Sequence, residues 1–172
     1  MKIGILSDTH DHLPAIRMAM EMFKQWQVQA IFHAGDYVCP MAALLLSPKR
    51  VDVPVYAIYG NNDGDRAVPG CPPGQLKGLA GVLPQLQDGP LRVTLAGRTI
   101  VMHHFYDWLQ PTDMIGADVI ISGHDHRPRI EHREGRLWIN PGECCGWRYH
   151  RRTIAWLDLT TLQAEIVDLP AC

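Results

Sequence analysis

No stretch of this sequence approaches the roughly 18 consecutive apolar residues that a membrane-spanning helix needs; the run Met41–Leu46 falls far short. Residues 1–9 hold one lysine and an apolar run broken by Ser7 and Asp8, so they are not expected to act as a secretory leader. A charge excess of one sign is also missing. Sixteen Lys and Arg stand against 18 Asp and Glu, for a net charge of −2, which excludes the strongly basic surface that coats a nucleic-acid duplex. The cluster Arg148, His150, Arg151 and Arg152 reads as a solvated loop with salt-bridge partners. The five cysteines (Cys39, Cys71, Cys144, Cys145, Cys172) lack C-x-x-C spacing, so neither a disulfide framework nor a thiolate zinc site is indicated. Cys144-Cys145 reads as two reduced thiols near a loop. No G-x-S-x-G elbow is present. The expectation from these absences is a reduced, cytoplasmic protein with no membrane association.

What remains is ordinary globular composition, 47% hydrophobic and 20% charged over 172 residues, which fits a single domain spanning 1–172. Short apolar runs at Lys2–Leu6, Ala30–His33, Pro54–Tyr59, Thr99–Met102 and Asp118–Ile121 have the length and β-branched content of strands covered on both faces. A helix is expected between the first two, with Asp11 or His12 as cap, Pro14 in its first turn, and Leu13, Ile16, Met20, Phe23 and Gln27 along one side. Further helices are expected at Pro40–Leu46 and Thr112–Ile115. Strand–helix alternation points to an α/β sheet. Arg129–Arg133, Arg136–Ile139, Thr153–Leu159 and Gln163–Leu169 read as an antiparallel meander that pairs with or packs on the first sheet. The proline- and glycine-rich residues 64–90 are expected to form an irregular excursion.

The Asp, Asn and His residues fall where strands end. Asp8 and His10 follow KIGILS, Asp36 follows AIFHAG, and Asn61, Asn62 and Asp63 follow VYAIYG. His103 and His104 follow TIVM, and His124 and His126 follow DVIISG. Ligands of open α/β sheets bind outside the carboxyl ends of strands, so five strands are expected to deliver donors to one edge. Gly35, Gly60 and Gly123 each precede a proposed ligand, where a sharp turn or close backbone approach is needed. Carboxylate, imidazole and amide oxygens without thiolate suit manganese, iron, nickel or zinc. About seven ligands exceed one tetrahedral site, so two divalent ions sharing a carboxylate are expected.

With these motifs in view, the sequence resembles the calcineurin-like metallophosphoesterases, in particular their small prokaryotic phosphodiesterase branch. The matching segments are SDTHDH (Ser7–His12), HAGD (His33–Asp36), GNND (Gly60–Asp63), the His103 strand end, GHDHRP (Gly123–Pro128) and NPGECCGW (Asn140–Trp147). The resemblance implies an α/β fold, a four-layer α/β/β/α sandwich of two mixed β-sheets flanked by helices. It further implies that Asp8, His10, Asp36 and His126 hold one ion, and that Asp36, Asn61, His103 and His124 hold the other, with Asp36 bridging.

The implied activity is hydrolysis of phosphodiesters by hydroxide that two metal ions, Mn2+ first, generate from water. Many relatives carry a histidine at the place of Asn62, acting as acid or phosphate contact. Asparagine donates a hydrogen bond but no proton. His104, which replaces a glycine of the usual pattern, is then the candidate acid, and Asp63 the candidate for orienting Asn61 or the imidazoles. The alternatives are a phosphomonoesterase, a nucleotide pyrophosphohydrolase, or a non-catalytic scaffold of the same fold. A small phosphodiester or nucleotide-like substrate is expected, together with a homodimer. His33 reads as a hydrogen-bonded core histidine and His12 as a helix cap or part of the cleft mouth. His132 and His150 have no implied role. Asn140 is expected to shape a turn, and nothing in its spacing assigns Glu143. The tryptophans read as core, meander or interface residues.

Overall fold

The computed structural model describes residues 1–64 and 78–170. The strands are β1 (Lys2–Leu6), β2 (Ala30–His33), β3 (Val55–Ala57), β4 (Leu91–Leu95), β5 (Arg98–Met102), β6 (Val119–Ile121), β7 (Arg129–Arg133), β8 (Arg136–Asn140), β9 (Thr153–Asp158) and β10 (Gln163–Asp168). The helices are α1 (Leu13–Gln25), α2 (Pro40–Ala43) and α3 (Gly78–Val82), with 3-10 turns at Leu44–Leu46 and Tyr106–Trp108. His12 caps α1: its Nδ1 accepts the amide of Ala15 at 3.1 Å, and Pro14 sits in the first turn, where no amide donor is needed.

The strands form two five-stranded mixed sheets, ordered β10-β9-β1-β2-β3 and β4-β5-β6-β8-β7. In the first, β1, β2 and β3 run parallel, and β9 and β10 close one side antiparallel. In the second, β5, β6 and β8 run parallel between antiparallel β4 and β7. Side chains alternate across each strand. Ile3, Ile5, Ala30 and Phe32 meet Ile100, Met102, Val119 and Ile121 between the sheets. Leu6 and Ile31 point the other way, onto Ala15, Ala19 and Phe23 of α1. Gly4 shares that outer face, where a Cβ would lie 2.7 Å from two carbons of the Phe23 ring; the absence of a side chain lets α1 sit close on β1.

The expected sandwich is present, with three local differences. The C-terminal meander is divided: β7 and β8 join the second sheet, while β9 and β10 join the first. Residues 112–115 form turns and no helix, because Pro111 and Gly116 (φ +67°) bracket too few residues to nucleate one. The outer layer on the second sheet therefore consists of the Tyr106–Trp108 turn and these turns, packed through Leu109, Met114 and Ala117 on Val101, Ile120 and Trp138. Strand β4 was not expected, since Leu91–Leu95 is half-exposed and alternates with polar residues. Residues 65–77 of the expected excursion, with Cys71, lie outside the described residues, as does Cys172.

A buried carboxylate ties the loops after β2 and β3 together. Asp63 accepts the amides of Asp36 (2.9 Å) and Gly60 (2.7 Å) on Oδ2, and those of Tyr37 (2.6 Å) and Val38 (2.8 Å) on Oδ1. Asp63→Ala removes the acceptor from four amides and is expected to cost on the order of 3 kcal/mol or more, with Asp63→Asn costing less; urea unfolding measures both. Gly4→Ala drives a methyl into the Phe23 ring and is expected to cost about 1–3 kcal/mol by overpacking. An unchanged urea midpoint would mean that α1 shifts freely on the sheet.

Candidate metal centre

The parallel strands of both sheets end at one edge, and the donors lie just past those ends. Asp8 and His10 follow β1, Asp36 follows β2, Asn61 follows β3, His104 follows β5, and His124 and His126 follow β6. The chain turns sharply at each place. Asp8, His10, Asp36, His124 and His126 all have left-handed backbone, with φ between 37° and 71°. Such residues cost on the order of 1–3 kcal/mol each and persist only where the surroundings over-determine them. Two glycines make the approach possible. A Cβ on Gly60 would collide with Asp36 Oδ1, and one on Gly123 with Ser7 Oγ and, at 2.8 Å, with Asp8 Oδ2.

The side chains converge on two buried carboxylates. His10 Nε2 lies 3.5 Å from Asp36 Oδ2 and 3.9 Å from Asp8 Oδ1. His126 Nε2 is 3.4 Å from Asp8 Oδ1, and His104 Nε2 is 3.5 Å from Asp36 Oδ2. The Asn61 Oδ1 accepts from His104 Nε2 at 3.0 Å and His124 Nδ1 at 2.9 Å. The backbone amide of His124 donates to Asp8 Oδ2 at 3.2 Å, joining the second sheet to the first.

Sequence reading placed His103 in this group and His104 beside it; the structure reverses the pair. His104 is buried, its Nδ1 donating to the Ala34 carbonyl at 2.7 Å and its Nε2 in the cluster. His103 faces outward, where its Nδ1 accepts the Phe105 amide at 3.0 Å and its ring lies 6.0 Å from that of Trp108. The cause is strand periodicity. Ile100 and Met102 point between the sheets, and Val101 points away. Ladder hydrogen bonds from the His103 amide to Ile121 O and from the Gly123 amide to His104 O carry the strand geometry past β5. Counting by twos from Ile100 therefore reaches His104.

Asn62 and Asp63 also take other work than expected. The Asn62 amide and side-chain Nδ2 donate to Asp36 Oδ1 and Oδ2 at 2.8 and 2.7 Å, so its carboxamide serves the carboxylate. Asp63 touches no imidazole in these contacts; it holds the two loops through their amides. Glu143, to which sequence reading assigned nothing, is buried and accepts His126 Nδ1–H at 2.8 Å and the Arg148 amide at 2.8 Å. It thereby fixes the tautomer that turns Nε2 toward Asp8. Asn140 shapes its turn as expected, accepting the Gly142 amide at 2.9 Å. His33 is a core histidine, bonded to Thr9 Oγ1 and the Gly35 amide and stacked at 3.7 Å on Tyr37.

Burial pushes the Asp8 carboxyl up to about 6, against the pull of His104 and His126. Burial also works against the charge on Asp36, yet the hydrogen bonds of His104 and Asn62 hold its carboxyl well below the usual range. Burial opposes a proton on His104, but the bond to Asp36 and the charges of Asp8 and Asp36 overcome it and raise its pKa. His10 and His124 are lowered, chiefly by burial, and so are neutral donors near pH 7. Among the buried side-chain atoms without a hydrogen-bond partner, Asp8 Oδ1, His10 Nε2 and the adjoining Ser7 Oγ lie in this cluster. Buried polar atoms are rarely left so, and a cation between Asp8 Oδ1 and His10 Nε2 satisfies both. Two carboxylates, four imidazoles and one amide oxygen fit divalent ions of the manganese-to-zinc series.

The family model described as the calcineurin-like phosphoesterase superfamily domain matches residues 1–162. A phosphodiesterase of Methanocaldococcus jannaschii is 36% identical over 163 residues, covering 92% of this chain and 93% of its own. A probable metallophosphoesterase of Methanothermobacter thermautotrophicus is 32% identical over 177 residues, covering 100% and 96%. The solved structure of an archaeal phosphodiesterase superposes with a TM-score of 0.81 at 33% identity, covering 98% of this chain and 100% of that one. With strand ends, buried carboxylates and imidazoles so arranged, and with relatives matched along nearly its whole length, the chain belongs to the calcineurin-like phosphoesterase superfamily.

Proposed function

We propose that this metal-dependent phosphoesterase hydrolyses phosphodiesters, with Asp8, His10, Asp36 and His126 holding one divalent ion and Asp36, Asn61, His104 and His124 holding a second. The observation that carries the reading is the group of buried carboxylates and imidazoles in which Asp8 Oδ1 and His10 Nε2 make no hydrogen bond. The diester preference rests on the phosphodiesterase relative of M. jannaschii. Bound there, two divalent cations acidify water and neutralise the charge of the phosphate oxygens. The chain's own contribution is placement. Asp63 holds the loops of Asp36 and Asn61 in register, Asn62 orients the Asp36 carboxylate, and Glu143 holds the His126 ring by Nδ1.

Manganese is the proposed metal. Cys145 Sγ lies near His10 and His126, but burial, with Glu143 adjoining, pushes its thiol up to about 12. The proposed ligands offer oxygen and nitrogen only, a set that admits manganese along with iron, nickel and zinc. The chain is proposed to act as one domain, 1–172, in the cytoplasm, on a small phosphodiester or nucleotide-like substrate and not on duplex nucleic acid. No helix among the described residues is long and apolar enough to cross a membrane, and Cys39, Cys144 and Cys145 are not in disulfides among the described residues. Trp108 (63% exposed) and Ile115 (67% exposed) on the outer layer of the second sheet support a homodimer.

His104→Ala is expected to lose metal from one of the two positions and at least roughly a hundredfold in kcat/KM. His103→Ala keeps its metal content; metal analysis of the two variants reverses this order if His103 is the ligand. Manganese at a hundred times its Kd is expected to stabilise the fold by about 2.7 kcal/mol. Chelation by EDTA removes that gain, as a thermal melt reads directly. With Mn2+ bound, bis(p-nitrophenyl) phosphate is expected to turn over faster than p-nitrophenyl phosphate; the opposite order makes the protein a phosphomonoesterase.

A further inference from the structure

Beside the His10 and His126 half of the centre lies a cavity of about 340 Å3, bounded by His12, Cys145, Gly146, Trp147, His150 and Arg152. Three contacts join it to the centre. Cys145 Sγ groups with the His10 and His126 nitrogens. The Trp147 Nε1 donates to the His10 carbonyl at 3.3 Å. Glu143, which holds His126, also accepts the backbone amides of Arg148 and Tyr149, so the carboxylate that aims a proposed ligand also anchors the loop carrying Trp147.

The Trp147 indole is fixed at one edge yet 62% exposed. Its neighbouring ring is that of His12, at 5.3 Å and tilted 55°. On the other half of the centre the aromatic wall is already packed upon itself. Phe105 lies 4.2 Å from the His124 ring and stacks on Trp108 at 4.3 Å and 16°. Trp108 is equally exposed but stacked on Phe105, whereas Trp147 is exposed and held to the centre by its hydrogen bond to His10. No lining residue of the cavity is acidic, and the lining offers one guanidinium and two imidazoles. His150 holds a left-handed backbone (φ 56°), a conformation that non-glycine residues adopt at a cost. A planar ring meets the indole, and oxygens meet the imidazoles and the guanidinium. A nucleoside supplies both, whereas an alkyl or glycerol ester lacks the ring.

Resting on the phosphodiesterase reading above, we propose that this cavity receives a nucleoside borne on the scissile phosphate, its base stacked on Trp147 and its sugar oxygens toward His150 and Arg152. Trp147 is then a specificity-determining residue of the site. The Mn2+-loaded protein is assayed on thymidine 5′-(p-nitrophenyl phosphate) and on ethyl p-nitrophenyl phosphate, which share a leaving group and differ in the retained ester. Trp147→Ala is expected to raise KM for the nucleoside ester roughly tenfold more than any change it makes on the ethyl ester, the usual worth of a stacked base. Trp147→Phe is expected to restore most of the loss. Equal losses on both esters, or no loss on either, overturn the proposal. Quenching of tryptophan fluorescence by thymidine 5′-monophosphate is measured in parallel on wild type and Trp147→Ala. If wild type hydrolyses neither diester, the phosphodiesterase reading fails and the quenching decides the cavity. Its loss in Trp147→Ala upholds nucleoside binding, and its persistence overturns it.

Discussion

Two carboxylates, Asp8 and Asp36, are buried where the sheets meet, and the ion-pair partners of both among the described residues are imidazoles. Burying negative charge without a permanent cation is expensive, and much of the edge is built around that expense. His124 gives its amide to Asp8, Asn62 gives two donors to Asp36, and His104 carries a raised pKa beside both. Even so, Asp8 Oδ1 and His10 Nε2 make no hydrogen bond. A carboxylate oxygen and a neutral imidazole nitrogen both offer lone pairs there, and a cation between them would take both.

The strain of that arrangement is distributed and opposed locally. Five of the proposed ligands turn through left-handed backbone, and each turn is held by bonds that do not involve a metal. The Asp8 amide donates to Gly35 O, the Thr9 and His10 amides donate to Asp36 O, and the Cys144 and Cys145 amides donate to Ser7 O and Asp8 O. Asp63 adds four bonds across two loops, and Glu143 joins His126 to the loop of Trp147. Behind them the closely packed core between the sheets gives the strand ends a rigid base. One carboxylate, Glu143, thus holds both the His126 ring and the loop that carries Trp147.

Much of this was legible in the sequence, unevenly and for identifiable reasons. Continuous apolar runs located β1, β2, β5 and β6, because strands covered on both faces admit few polar residues. Donors clustered after those runs located the edge. The half-exposed β4 lacks the continuous apolar run that marks the other strands, since its apolar residues alternate with polar ones, and the turns after Pro111 resemble one turn of helix in their short polar-apolar pattern. The division of the C-terminal strands between two sheets has no local signal, since hairpin turns do not say which sheet a hairpin joins.

The sequence by itself determined the superfamily, the sandwich class and the strand ends beside which the proposed ligands lie, since those features are chemical and each follows a recognisable apolar run. Only the tertiary structure decided which of two adjacent histidines, His103 or His104, turns toward Asp36. A strand reverses its side-chain direction at every residue, so a displacement of one position exchanges inside for outside. Only the tertiary structure, too, gave Asn62 to Asp36 and Glu143 to His126, because those partners are 26 and 17 residues apart and meet only when the strands are paired.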